Sequence, residues 1–519
     1  AIMSNAASLY VIDDQIFEIK YISETPTAPV ITTQPLSQML SVGEKATFTV
    51  EATGTDLTYQ WQYKPSLPNS AWTNLTKSDG TGFDTNTFTT AVLTGTQDHY
   101  QYRCLVRSKN YYYGDENAKE SDSATLLILS ATQIADVQFD NSKLMITEWT
   151  IPADNTVIKL PVQGTGLNIT VDWGDGSATE TVTTQFPTHT YAQAGIYEIA
   201  VAGNCPVWGK YSGNVPTEGN DYYTYAQYLS KVIQFGELNA TYYGFTWCTN
   251  LTDVKGATVN STKNVTDMSY MFARCDNLTN LDTSNFDTSK VTNMIGMFAS
   301  CRILKNLDVS SFNISNVTNT SNMFSNCAGL TNLDVSNFNT LKVIDMAYMF
   351  YGCNNLKNLN LSNFDTLKVT NMAYMFYGCN NLTELNLSDF NTSRVTNMTA
   401  MFNECSSLIN LDVTNFDTSK VTQMWNMFNG CKSLNSINLN NFDTSSVENM
   451  ISMFFGCNSL KCLDLSGFDT SKVTMTLSMF ASCSNLKSIQ ISNKFKIPTS
   501  RNGNMFTNTP TLKSIIIVD

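Results

Sequence analysis

The sequence predicts a multidomain chain, two all-β sandwiches followed by an α/β solenoid, and three observations predict it. From Val265 onward the residues repeat with a period of 26. Residues 27–130 and 131–206 instead show short runs of alternating apolar and polar residues between turn formers, each run long enough for one small sandwich. The third observation is length: 519 residues, at roughly 150 per domain, exceed one small globular domain and leave room for an array. The chain is therefore divided into an unassigned segment 1–26, a sandwich 27–130, a second sandwich 131–206, and a repeat array 207–519 with degenerate ends.

The repeat carries the strongest signal. Its valine column runs Val265, Val291, Val317, Val343, Val369, Val395, Val421, Val447 and Val473, with a Met-Phe pair six residues later and a cysteine ten residues later. In the first copy Met268, Met271, Phe272 and Cys275 lie at i, i+3, i+4 and i+7, the stripe of a short helix that Thr266 or Asp267 could cap. Leu278, Leu281 and Thr283 follow, and in later copies Leu304, Leu307 and Val309, whose last two members alternate as a short strand does. Phe286 and its equivalents then precede a polar corner that returns the chain to the next coil. Helix, strand and turn in one period make a solenoid unit, and the Leu-x-x-Leu-x-Leu spacing matches the leucine-rich-repeat pattern, whose units run about 20 to 29 residues. The array frays at both ends, with Cys248, Leu251 and Val254 at a slipped spacing upstream and Leu512, Ile515 and Ile517 as the last strand.

The pattern VTNMxxMFxxCxxLxxLxLSxFxTSx over residues 265–519 resembles the surface-protein repeat of BspA-like leucine-rich-repeat proteins of gut and oral bacteria and mycoplasma-type lipoproteins. The resemblance implies a secreted or surface-anchored bacterial protein, extracellular or on the cell surface, with a role in adhesion or host interaction.

Residues 27–130 resemble a bacterial immunoglobulin-like domain. Trp61 takes the place of the core tryptophan, and Asp98, Tyr102 and Cys104 match the Asp-x-x-x-Tyr-x-Cys signature of a tyrosine corner. The partner position of Cys104 falls near Val50, so this sandwich must rely on apolar packing in place of an inter-sheet disulfide. His99 is expected at the surface beside that corner. Residues 131–206 resemble a polycystic-kidney-disease-type (PKD) domain through VDWGDGS at 171–177 and PTHTYAQAGIYEIAV at 187–201. Asp172 and Asp175 fall short of the roughly six to eight oxygens that calcium takes, and His189 is expected as a structural hydrogen-bond partner.

Nine of the 13 cysteines stand in one column from Cys275 to Cys483. In-register side chains on neighbouring coils keep their β-carbons about 5 Å apart, beyond the usual disulfide range, so buried free thiols are expected. Cys205 with Cys248 is the one pair whose surroundings make a bond worth testing. A linear column does not converge on a metal, and no metal or cofactor is expected.

Composition excludes several function classes. With 31 Lys and Arg against 44 Asp and Glu the net charge is -13, which repels a phosphate backbone and argues against a nucleic-acid partner. Only His99 and His189 are available for imidazole chemistry. No run approaches the roughly 18 apolar residues of a membrane helix, so no membrane insertion is expected of the given residues, and AIMSNAASLY lacks the basic-then-apolar pattern of a leader.

What remains is a surface. Residues flanking the inward leucines point outward, so Asn280 and Asp282 stack on Asn306 and Asp308, then on Asn332 and Asp334, Asn358 and Asn360, Glu384 and Asn386, and Asn410 and Asp412. These twelve are the candidate ligand-binding residues, on an expected concave face. A second Asx column, Asp287 to Asp469, is expected to accept turn hydrogens at the corner. Glu384 and Cys462 depart from the Asn column. Tyr348, Tyr374 and Trp425 are placed on the helices, and Tyr111–Tyr113 and Tyr222, Tyr223 and Tyr225 form further aromatic clusters.

The function expected is a non-enzymatic adhesin, monomeric, binding a host or community extracellular protein or glycan through the array, since many weak contacts on a repetitive ligand add by avidity. A passive spacer of the cell envelope is the alternative. A hydrolase would need two carboxylates in a cleft with distinct environments, and an open, uniform Asp column does not supply that. No catalytic residue is assigned.

Overall fold

Alternation along the strands of the first sandwich buries one face of each. In the computed structural model, which describes residues 8–12, 15–19, 27–65, 70–108, 118–129, 144–209, 226–236, 243–255, 262–498 and 502–518, the chain divides into two units, Ala1–Ser142 and Lys143–Asp519.

In the first unit Ser8–Ile12 pairs antiparallel with Gln15–Ile19 as a hairpin within the segment left unassigned. The sandwich proper has one sheet in the order Gln38–Ser41, Ala124–Leu129, Tyr100–Ser108, Leu57–Lys64 and Thr73–Asn74, the first pair parallel and the rest antiparallel. A second sheet joins Thr47–Thr49, Thr87–Thr90 and Gly80–Thr81. This is an immunoglobulin-like arrangement, and its core is aromatic: Trp61, Phe48 and Phe88 are fully buried, and Phe48 stacks on Tyr102 at 4.6 Å. Cys104 is free and buried, as is Val50. Apolar packing therefore carries the load an inter-sheet disulfide would bear, and Trp61 Nε1 is satisfied by the Thr85 carbonyl at 2.9 Å. Asp98 Oδ1 accepts the Ile128 N–H at 2.8 Å, tying the corner to the neighbouring strand. His99 is not a surface residue: its side chain is only 12% exposed and its Nδ1 lies 3.1 Å from Asp98 Oδ2.

The second unit begins as an antiparallel sandwich and ends as a parallel stack, and one seven-stranded sheet joins the sandwich to the first coils. Its strand order is Glu180–Val182, Asn168–Asp172, Gly195–Asn204, Met145–Ile151, Leu229–Phe235, Asp253–Val254 and Asn280–Leu281, antiparallel as far as Leu229–Phe235 and parallel beyond it. One apolar core runs from Met145 through Trp149, Trp173 and Trp208 into the array and on to Met505. The first end of the solenoid is thus covered by a sandwich whose sheet passes through the 206–207 position. The last strand, Ser514–Val518, pairs parallel with Ser488–Ser492 and leaves Ile515, Ile516 and Ile517 exposed.

The array is not the expected α/β leucine-rich-repeat solenoid. The described residues form no helix segment, and the stretch expected to be helical in each coil is a chain of turns, so the array is a β-solenoid. Two features decide this. Tyr270 and Arg274 have φ of 55° and 61°, and a left-handed residue recurs at both positions in coil after coil, which a right-handed helix cannot contain. Alternate N–H groups also leave the coil. Met268, Tyr270, Phe272 and Arg274 donate to the carbonyls of Asn293, Ile295, Met297 and Ala299 in the next coil, at 2.7–3.0 Å, while Met271, Ala273 and Cys275 close tight turns onto residues three back. Turns with a left-handed third residue have the type II form. The same four apolar residues still face inward, because turns repeating every four residues reproduce a helix-like spacing of buried positions.

Three ladders join the coils. Parallel bridges link Asp267, Asn293, Asn319, Asp345, Asn371, Asn397, Gln423 and Asn449. Strands as short as Asn332–Leu333 and Asn358–Leu359 pair in register on a second leg. At the corner a buried threonine bridges coils, as when Thr366 Oγ1 donates to the Asn391 carbonyl at 2.9 Å and accepts the Asn391 N–H at 2.7 Å. Inside, the phenylalanines from Phe272 to Phe506 form an unbroken stack at 5.5–6.0 Å, each contact worth roughly 0.5–1.5 kcal/mol beyond area burial.

Candidate functional site

The twelve candidate residues lie where the alternation places them. Asn280, Asp282, Asn306, Asp308, Asn332, Asp334, Asn358, Asn360, Glu384, Asn386, Asn410 and Asp412 are all exposed, while Leu281, Leu307, Leu333, Leu359, Leu385 and Leu411 between them are buried. Asn358, Asn360, Glu384, Asn386, Asn410 and Asp412 come together around one open depression. The parallel register sets this: Asn332 pairs with Asn358, and Glu384 with Asn410.

The two columns of this lattice differ in what they do. Asp282, Asp308, Asp334, Asn360, Asn386 and Asp412 each accept, through Oδ1, the backbone N–H two residues on, at 2.9–3.1 Å. They are Asx-turn caps that end the strand. Hydrogen bonds from the Ser310 hydroxyl and N–H hold the Asp308 carboxyl below the ordinary carboxylate range, outweighing repulsion from Asp334, and Ser336 and Thr414 act in the same way on Asp334 and Asp412. These bonds favour the ionised form of Asp308, Asp334 and Asp412. The corner column does likewise: Asp287, Asn313, Asp365, Asn391, Asp417, Asp443 and Asp469 accept from residues two on. Asn280, Asn306, Asn332, Asn358 and Asn410 cap no such turn, so their amides are the part of the lattice that structure does not already employ.

The cysteine column is a hydrogen-bond ladder. Each thiol donates to the carbonyl of a phenylalanine in the preceding coil, Cys301 to Phe272 at 3.3 Å and Cys379 to Phe350 at 3.2 Å. That carbonyl also accepts the N–H of the cysteine in its own coil, Cys275 and Cys353 respectively, so both its lone pairs are used. Burial pushes the thiols of Cys275, Cys301 and Cys353 well above their ordinary range, and those of Cys327 and Cys405 up to about 12. Cys205 and Cys248 are both free and buried, with the Cys205 thiol donating to the Val207 carbonyl at 3.3 Å, so the pair considered from sequence is not joined. Cys462, exposed in the Asn column, is the exception to burial.

In the second sandwich the Asp172 and Asp175 carboxylates cap Gly174 and Ser177. His189 Nε2 lies 2.7 Å from Asp175 Oδ2, and its ring stacks on Trp173 at 4.6 Å. Burial raises the Asp175 carboxyl, but hydrogen bonds from Ser177 and His189 outweigh it and hold the group below its usual value. Among the described residues no three His, Cys, Asp or Glu side chains are grouped to hold a metal ion. No helix among them is long and apolar enough to cross a membrane.

One feature of the surface was read only in part from sequence. Tyr348 and Tyr374 do not lie on helices but on the turn leg, stacked on each other at 4.6 Å, and Tyr351 and Tyr377, not singled out from sequence, form a second stack at 4.6 Å beside them. Trp425 meets Tyr374 edge-on at 5.8 Å. All five rings are half-buried. The signal for this cluster was present in the tandem stretches AYMFYG at 347–352 and 373–378. Tyr111–Tyr113 and Tyr222, Tyr223 and Tyr225 lie outside the described residues.

No curated protein matches this chain. Among solved structures it is similar to Sidekick-1 immunoglobulin domains 1–5, at 12% identity and a TM-score of 0.17, covering 33% of this chain and 34% of that one. The match therefore spans about a third of the Sidekick-1 structure. A titin immunoglobulin tandem is similar at 12% identity and a TM-score of 0.16, covering 34% of this chain and 82% of that one. The titin z1z2 domains in complex with telethonin give 14% identity and a TM-score of 0.16, covering 35% and 85%. A family model matches the array three times, at residues 242–358, 328–435 and 406–517. These matches together span more than half of the 519 residues, and the chain belongs to the family described as Mycoplasma protein of unknown function, DUF285.

Proposed function

We propose that this chain is a non-enzymatic, extracellular surface protein of BspA-like character, an adhesin whose solenoid binds a host or community protein or glycan. The observation that carries the reading is the exposed lattice on the strand leg, where Asn amides recur in register at 280, 306, 332, 358 and 410 without capping duties. A repetitive row of amides suits a repetitive polar ligand, because contacts that are each weak add when several are engaged at once. The second sandwich, PKD-like in its WGDGS and His189 constellation, anchors the array's first end. The capping role of the Asp column favours the spacer alternative, since those residues would recur for folding alone.

The test uses the full chain. Asn332, Asn358 and Asn410 are changed together to Lys, leaving the caps intact, and binding to immobilised glycans and extracellular matrix proteins is measured with and without calcium. Binding by the wild type that this variant loses supports an adhesive lattice. Absence of wild-type binding across the panel supports the spacer.

A further inference from the structure

In an array built by near-identical repetition, departures from the repeat single out surface that folding does not require. The left-handed position of the turn leg holds Gly296, Asn322, Ala400, Asn426, Ser452, Ser478 and Asn504, small or amide side chains, in seven coils, and tyrosine at Tyr243, Tyr270, Tyr348 and Tyr374, with φ of 55–60°. A bulky residue there costs on the order of 1 kcal/mol, and strain of this kind collects at functional positions. Three residues on, where other coils hold Ala273, Ser325, Asn403, Asn429 or Phe455, the coils of Tyr348 and Tyr374 hold Tyr351 and Tyr377, so only these two pair tyrosines at both positions. The four rings and Trp425 form one connected cluster, each ring within 6.4 Å of another.

The chemistry around the cluster selects its partner. Residues 345–355 and 371–381 carry a single charged side chain, Asp345, and Glu404 of the next coil lies close enough to act on the Tyr377 hydroxyl, so the charges at the cluster are negative. The flanking positions are amides: Asn371 and Asn397 on one side, Asn354, Asn355 and Asn381 on the other. Gly352 and Gly378 follow Tyr351 and Tyr377 at the second left-handed position, with φ of 68° and 70°. The rings stack along the coil direction, and the preceding coil holds Asn322 and Ser325 at the equivalent positions. Half-buried aromatic rings, phenol hydroxyls and amides, with no Lys or Arg among them, match the apolar faces and hydroxyl edges of pyranose rings. They offer nothing to an anionic chain.

We propose that Tyr348, Tyr351, Tyr374, Tyr377 and Trp425 form a binding platform for a neutral polysaccharide on the turn leg of the solenoid. This site goes beyond the adhesive lattice and lies on a different leg of the coil, so each can fail without the other. The repeat supplies substitutions compatible with its own fold: Tyr348→Asn and Tyr374→Asn place Asn322's residue at the left-handed position, and Tyr351→Ser and Tyr377→Ser place that of Ser325.

The test is affinity electrophoresis and titration calorimetry of the full chain against soluble β-glucan, xylan and mannan, with heparin as the anionic control. The wild type is expected to bind at least one neutral polymer and not heparin. The fourfold variant should bind about tenfold or more weakly with an unchanged melting temperature, while the Asn332, Asn358, Asn410 lattice variant retains the binding. Retention of affinity by the fourfold variant, binding of heparin alone, or no binding to any of the three neutral polymers overturns the proposal. A tenfold loss in Trp425→Ser, with circular dichroism unchanged, would locate the contact independently.

Discussion

Replacing Thr366 by Val tests whether the corner threonines hold the coils together by hydrogen bonding. The side chain is 1% exposed, and valine keeps its branched shape while removing the hydroxyl. Two bonds to the next coil are lost, the donation to the Asn391 carbonyl at 2.9 Å and the acceptance of the Asn391 N–H at 2.7 Å. Leaving both partners without a bond at a buried corner costs about 1–3 kcal/mol, more than the apolar gain of a methyl group. Arrays need not unfold in one step, so the informative assay is native-state hydrogen exchange read at the Asn391 amide. Exchange there should quicken about 5- to 150-fold, with smaller changes several coils away, and Thr366→Ser should restore most of the protection. The array contains its own control: Ile314 occupies the equivalent buried position without a hydroxyl, so Ile314→Val should cost only the roughly 0.5–1.5 kcal/mol of a lost methylene. Unaltered protection of Asn391 in the Val variant would refute the argument and leave packing alone as the cohesion between coils.

Two further outcomes follow from the titratable groups. The Asp175 carboxyl is held below its ordinary value of 3.8, so its contribution to the sandwich is complete above that pH and is lost as pH falls through the lowered folded value. Thermal unfolding followed by Trp fluorescence should show that Asp175→Asn flattens the acid limb of the stability curve and lowers stability near neutrality; an identical acid limb in the variant would count against the His189 and Ser177 bonds as its cause. Maleimide should label about one thiol per native chain, at Cys462, and all 13 after denaturation, because burial keeps the column thiols protonated and covered. Fast native labelling at Cys379 or Cys353 would contradict the ladder.

Much of the inner surface of this protein was legible in its residues. Met268, Met271, Phe272, Cys275, Leu278 and Leu281 were read as inward and are buried, as are Val265 and Phe286 of the same repeat, because a column repeated in register can only stack on itself. The role of Asp287 at the corner was also legible, since an Asx followed by a polar turn has few other uses. Trp61 and Tyr102 in the first sandwich were legible through the resemblance to an immunoglobulin-like domain, and both are buried.

The backbone of the turn leg was misread because Met268, Met271, Phe272 and Cys275 have the same spacing on a helix face and on tandem turns. Gly296, Gly352, Gly378, Asn322 and Asn326 at the two left-handed positions held the distinguishing signal, but it is dispersed over many coils and masked where Tyr or Ser takes the place. Whether an N–H closes on its own coil or reaches the next depends on a neighbour lying beside it.

The residues alone determined the period, the buried columns and the net charge of -13, since these depend on composition and order along the chain. Only the tertiary structure decided that the coils are turns, that the second sandwich shares a sheet with the first coils and a core with the whole array, and that four tyrosines from two coils cluster, with Tyr374 meeting Trp425 from a third. Each of these is a contact between residues distant in sequence, formed when stacking brings one coil against the next and the hydrogen bonds between coils displace those a helix would have made within itself.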